Sequence, residues 1–161
     1  MVLSDIFLFA AIVMFIYIAW QDFMTLRIRN VHVGILTGIY VLFALTGGFD
    51  QLVGDISAGA LLFGISFVFW LFRAIGAGDV KLYFPLGLFV GFDGLMPYAV
   101  FLMVFSLIIL ALIKIWGRFS KGRTLLGRRF AEIRAGGNVP YGVPMGLSAI
   151  LVMVAERLLI G

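Results

Sequence analysis

Ile6-Phe7-Leu8-Phe9-Ala10-Ala11-Ile12-Val13-Met14-Phe15-Ile16-Tyr17-Ile18-Ala19-Trp20 is an unbroken apolar run without a single charged side chain. In hydrocarbon the backbone has no water to bond, so a segment of this kind is stable only when it pairs its own N–H and C=O groups as a helix. It predicts a first transmembrane helix. The preceding Met1-Val2-Leu3-Ser4-Asp5 carries no Lys or Arg, so the run lacks the positive flank of a cleaved secretory signal and is expected to remain in the protein. Working outward, comparable runs recur at Val31–Thr46, Leu52–Phe72, from near Val80 to slightly past Phe92, Pro97–Ile115 and Val143–Ile160. The whole chain of 161 residues is 63% hydrophobic and 12% charged, against about 45–50% apolar and about 25% charged in ordinary globular chains. That balance excludes a soluble enzyme, a disordered chain and a collagen. At about 17–25 residues per crossing, residues 1–161 form one domain: an all-α membrane protein folded as a bundle of six transmembrane helices.

The breaks between the runs orient the bundle. The stretch Gln21-Asp22-Phe23-Met24-Thr25-Leu26-Arg27-Ile28-Arg29-Asn30 reads as a surface loop, and Gly47-Gly48-Phe49-Asp50-Gln51 as a tight turn. Arg73 to Lys81 forms the third break, and a basic, glycine-bearing loop occupies about 116–138. The breaks after the first, third and fifth runs hold eleven of the twelve basic residues: Arg27, Arg29, Arg73, Lys81, Lys114, Arg118, Lys121, Arg123, Arg128, Arg129 and Arg134. Only Arg157 lies on the other side, with Asp5, Asp50, Asp55, Asp93 and Glu156. By the positive-inside rule the basic breaks face the cytoplasm and both termini face the periplasm. Within the basic loop, Leu126, Phe130 and Ile133 fall at i, i+4 and i+7, a stripe expected to lie in the headgroup region as a short interfacial helix. The net charge of +4 is therefore a matter of topology, and no nucleic-acid partner is expected, because the aromatic residues sit in the apolar runs and not among the basic ones.

The chemistry narrows by elimination. There is no cysteine and one histidine, His32, which removes thiol nucleophiles and multi-histidine metal sites; His32 is expected to mark the membrane interface. No metal and no cofactor are expected. Carboxylates remain. Two of them stand at the ends of runs on the basic side, Asp22 after the first and Asp79 at the opening of the fourth. Each has a plain structural reading: Asp22 ends a helix, and Asp79 caps one. As a pair they mean more. Runs that both end on one face can pack together, and two carboxylates close together in a desolvated place do not both ionise readily. One then holds a proton while the other acts as base, as in an aspartic peptidase. Gly76 and Gly78, just ahead of Asp79, suit positive φ or the close approach of another chain.

Gly76-Ala77-Gly78-Asp79-Val80-Lys81-Leu82 resembles the G-x-G-D-x-K-L signature of the prepilin peptidases, membrane aspartic enzymes that remove short leaders from type IV pilin precursors. Asp22 followed by Ile28-Arg29-Asn30 resembles the family's second element, with Arg29 where that family usually has proline. The late Val139-Pro140-Tyr141-Gly142-Val143-Pro144 is similar to the small members that serve tight-adherence pili. The resemblance spans essentially the whole chain. It implies that Asp22 and Asp79 are the catalytic dyad, that Gly76, Gly78, Lys81, Asn30, Pro140, Tyr141 and Gly142 line the motif and substrate region, and that the partners are a prepilin and the lipid bilayer. It also implies a multi-pass protein of the bacterial inner membrane with its active site facing the cytoplasm, without the cysteine-bearing insertion of larger members. Two other readings stay open at this point: a small ion- or proton-coupled transporter subunit, and a non-enzymatic assembly scaffold. Lys81 has a plainer reading as a snorkelling interfacial residue. The pairs Gly34/Gly38, Gly87/Gly91 and Gly142/Gly146 are the small-residue spacings expected where membrane helices pack closely.

Overall fold

In a computed structural model that describes residues 2–47, 51–119 and 124–160, the chain is helical throughout its regular structure. Seven helices follow in order: α1 (Val2–Thr25), α2 (Asn30–Gly47), α3 (Leu52–Leu71), α4 (Ala77–Val90), α5 (Leu95–Phe119), α6 (Leu125–Gly136) and α7 (Gly142–Ile160). Among the described residues there is no strand. Four of these helices are long and apolar enough to cross a membrane: Leu3–Thr25, Asn30–Gly47, Leu52–Leu71 and Leu95–Trp116. They correspond to the first, second, third and fifth expected runs. Helices α4 and α7 occupy the places of the other two.

The sequence-based boundaries need three corrections. Helix α1 does not stop at Trp20 but continues through Thr25, so Asp22 is a helical residue and not part of a loop. Polar side chains by themselves do not break a helix when other elements supply their partners. Helix α4 starts at Ala77 and stops at Val90, short of the expected end past Phe92, because Gly91 takes φ +65°, a left-handed conformation open mainly to glycine. At 14 residues it is roughly 21 Å long at about 1.5 Å per residue, less than the roughly 30 Å of a hydrocarbon core. Helix α6 also departs from expectation. It does form, with the Thr124 hydroxyl accepting the Gly127 N–H at one end and Gly137 in the left-handed region at the other. Yet its stripe packs on protein rather than on headgroups: Phe130 meets the Phe23 ring at 5.1 Å and stacks on Trp116 at 6.2 Å. Ile133 is buried with Phe23 and Ile113, and only Leu126 stays exposed, at 48%. Lys121 and Arg123 of the basic loop, and 48–50 of the expected tight turn, lie outside the described residues.

Helix α4 is the axis of the bundle. From Pro85 to Val90 every residue is buried, and α2, α3, α5 and α7 all pack on it. Its Phe89 sits in an aromatic cluster, edge-on to Phe15 of α1 at 6.0 Å and to Tyr40 of α2 at 5.3 Å. Against α3 the approach is closer still. A Cβ placed on Gly87 would fall 2.6 Å from the Gly59 Cα, and one on Gly59 would fall 2.9 Å from the Phe84 carbonyl oxygen. Bare backbone meets bare backbone there, which is how helices in lipid gain dispersion contact when no hydrophobic driving force separates them from solvent. Gly146 likewise admits the Phe15 carbonyl of α1, 3.2 Å from where its Cβ would stand. The Gly34/Gly38 pair does not behave this way: both face open space.

The polar contacts sort into two ends. At one end, Lys81 donates to Asn30 Oδ1 at 3.0 Å, Arg129 to the Phe23 carbonyl at 2.8 Å and the Gly142 N–H to Asp22 at 2.8 Å. At the other, Arg157 pairs with Asp5, and the Tyr40 hydroxyl donates to Asp55 Oδ2 at 2.6 Å. A cavity of about 540 Å³ opens at that second end, lined in part by Asp5, Asp55, Asp93, Glu156 and Arg157. The acids expected on the side opposite the basic breaks are thus together, apart from Asp50, which lies outside the described residues.

Candidate active site

Asp22 projects from the last turns of α1 and is 4% exposed. Its carboxylate is held by a backbone donor: the Gly142 N–H, at the first residue of α7, reaches Oδ2 at 2.8 Å. A helix start presents unpaired N–H groups and the positive end of the macrodipole, both suited to an anion. The contact depends on Gly142 having no side chain, since a Cβ there would lie 2.9 Å from both the Asp22 Cβ and Oδ2. This is the physical content of the Pro140-Tyr141-Gly142 stretch. Pro140 is buried, its carbonyl accepts the Val143 N–H at 3.2 Å, and Gly142 lets the helix start close on the carboxylate. Tyr141, expected in the site region, is 38% exposed.

Asp79 is not the N-cap of α4. Gly76 holds that position, with Asp79 three residues in and its Oδ2 accepting the Gly76 N–H at 3.3 Å. The first orphan donor of the helix is satisfied, and the carboxylate is steadied at the same time. Gly76 has φ −74°, so the expectation of positive φ at this glycine is not met. Closeness is what the two glycines supply. A Cβ on Gly76 would press on Asp79 Oδ2 at 3.1 Å, and one on Gly78 would fall 3.2 Å from the Ile28 Cβ. The loop into α4 therefore slides directly along the α1–α2 connection, bringing Asp79 to the Asp22 end of α1.

The two carboxylates lie within electrostatic reach of each other. Two carboxylates in each other's field do not both ionise readily, so one of them can hold a proton while the other takes one from a water molecule.

The remaining expected residues fall around this pair without all touching it. Lys81 and Asn30 bond to each other across the starts of α4 and α2, both at the surface, so Lys81 ties two helices together beside the site. Arg29, in the place of the expected proline, is exposed. His32, in the first turn of α2, is buried and edge-on to the Tyr17 ring at 5.2 Å. Two residues escaped the sequence reading. Tyr83, one turn beyond Asp79 on the same helix face, is in electrostatic contact with Asp79 and with Tyr141; its i+4 spacing was the available signal. Arg129 of α6 lies within electrostatic reach of Asp22, and nothing in its local sequence sets it apart from the other basic residues of its loop.

Comparison with known proteins adds one match and two blanks. No curated protein and no solved structure matches the chain. The model of the type IV leader peptidase family matches residues 9–113, a segment that contains Asp22, Asn30, Gly76, Gly78, Asp79 and Lys81 and ends before Pro140. With that match over well more than half its length, and with both aspartates inside it, the chain belongs to the type IV leader peptidase family.

Proposed function

We propose that this protein is a membrane-embedded aspartic endopeptidase in which Asp22 and Asp79 act as one catalytic pair, removing the leader from Flp-like prepilins at the cytoplasmic face of the bacterial inner membrane. The family supports a protease and a prepilin substrate. The observation that carries the rest is that Asp22 and Asp79, 57 positions apart in sequence, come within electrostatic reach of each other, one held by the start of α7 and the other by the start of α4.

Asp79 is the member that holds the proton, and Asp22 is the base. Asp22 takes a proton from water as its oxygen attacks the scissile carbonyl carbon, while Asp79 delivers its proton to the carbonyl oxygen. A neutral tetrahedral diol results. Collapse returns a proton to the leaving nitrogen, breaks the C–N bond and restores the shared proton, with no covalent acyl-enzyme. The substrate's apolar helix enters from lipid, its leader on the basic side.

The topology that fits has six crossings, with α4 and α7 completing the four long helices and both termini periplasmic. Support comes from the alternation of the helix ends. Lys81 and Arg129 make their contacts at the dyad end of the bundle, and the acids Asp5, Asp55, Asp93 and Glu156 gather at the far end. A site at one end of the bundle, and not midway along it, favours hydrolysis over the ion-transport reading.

Co-expression of a Flp-like prepilin with this protein, in cells without another prepilin peptidase, tests the proposal. Asp22→Asn and Asp79→Asn each keep the shape and lose the proton chemistry, so each is expected to abolish leader removal. Processing that continues in either variant ends the proposal.

A further inference from the structure

The last turn of α1 contains no basic residue, although a cation there would complement the helix dipole and cap its open carbonyls. The cation comes instead from a distant helix. Arg129 of α6 donates from Nε to the Phe23 carbonyl at 2.8 Å, one residue beyond Asp22. Its side chain is only 16% exposed, and it is carried there by packing: Phe130 on Phe23 and Trp116, Ile133 on Phe23 and Ile113. Its Nη1 meets Glu132 Oε2 at 3.0 Å, and Glu132 itself is 64% exposed.

We propose that Arg129 is the positioning residue of the dyad: a guanidinium docked on the end of α1 that keeps Asp22 as the ionised member and leaves the shared proton on Asp79. The inference rests on the peptidase reading above and names the residue that breaks the symmetry of the pair. Asp22 is faced by Asp79 from α4, by the Gly142 N–H from α7 and by Arg129 from α6. On α2, Asn30 is taken by Lys81 and His32 lies against Tyr17. Arg29, on the α1–α2 connection, is exposed. Tyr83 of α4 lies within electrostatic reach of Asp79. Of these groups, Arg129 is the cation brought to Asp22 by a dedicated packing contact.

The test reads the ionisation of Asp22 directly, by infrared titration of its carboxyl band in the full-length protein reconstituted in liposomes, with Asp22→Asn identifying the band. Prepilin cleavage across pH is the second readout. In Arg129→Gln the Asp22 titration, and with it the acid limb of kcat, is expected to move to higher pH by about one unit, the low end for loss of a neighbouring opposite charge. On the acid limb, below the Asp22 titration, kcat falls about tenfold and KM stays within about twofold, on the same reasoning. Arg129→Lys keeps the charge and restores the titration. Glu132→Gln removes the competing anion from a surface position and moves the titration to lower pH. Arg134→Gln deletes the same charge from an exposed position on α6 and leaves it in place. An Asp22 titration unmoved by both Arg129→Gln and Glu132→Gln, or moved as far by Arg134→Gln, overturns the proposal; if Arg129→Gln does not fold, the direction of the Glu132→Gln shift decides alone. The infrared titration gives its answer even if the wild type leaves a prepilin uncut, so failure of the peptidase reading is distinct from failure of this one.

Discussion

Replacing Gly142 by alanine puts a methyl group where the Asp22 carboxylate now rests. Its Cβ would stand 2.9 Å from the Asp22 Cβ, 2.9 Å from Oδ2 and 3.1 Å from Cγ. Ordinary carbon contacts begin near about 3.5 Å, so the two helices must separate locally by roughly half an ångström or more. Rotation of the side chain does not relieve this, because the Asp22 Cβ is fixed to the α1 backbone. The 2.8 Å bond from the Gly142 N–H then stretches beyond useful length. A hydrogen bond to a charged group contributes about 1.5–3 kcal/mol, which is about one to two decades of rate if it is lost where the base acts. Misplacement of a catalytic group by about 1 Å carries a similar cost, about a hundredfold. Gly142→Ala should therefore cut kcat for leader removal by about 10- to 100-fold with little change in KM, measured on detergent-solubilised protein with a purified prepilin. Gly38→Ala, at a position with nothing within 4 Å, is the control and should keep full activity. Activity in Gly142→Ala within threefold of wild type, with an unchanged melting temperature, would refute the argument that the start of α7 holds the dyad.

One further outcome follows from the same kind of contact. Gly87→Ala drives a methyl group to 2.6 Å from the Gly59 Cα, against backbone that cannot turn aside; overpacking of this kind costs about 1–3 kcal/mol and should lower the unfolding midpoint in mixed detergent, whereas Gly34→Ala should not.

The apolar runs and the two aspartates were legible because both depend on local pattern. A run such as Ile6–Trp20 declares a membrane helix by composition alone, and G-x-G-D stands out by spacing. Helix ends were less so. Gln21 and Asp22 read as a break, yet α1 runs on to Thr25 because the partner that shelters Asp22 is Gly142, 120 residues away. The stripe on α6 was seen, but hydrophobic periodicity states that a face is buried and not what buries it; here the cover is Phe23 and Ile113. Arg129 was hidden for the same reason. Its partner is a backbone carbonyl 106 residues distant, and a main-chain acceptor leaves no mark in sequence. Gly34 and Gly38 mislead in the opposite sense, sharing the spacing of Gly142 and Gly146 without a neighbour to receive.

The shortness of α4 has a consequence for how the protein sits in lipid. A central rod of roughly 21 Å inside a sheath made for about 30 Å leaves a recess on the bundle axis, and that recess is taken up away from the dyad. Val90, Gly91, Phe92 and Asp93, where α4 stops, line the acidic cavity. The whole shortfall is taken at that end, so the start of α4 keeps level with the Asp22 end of α1.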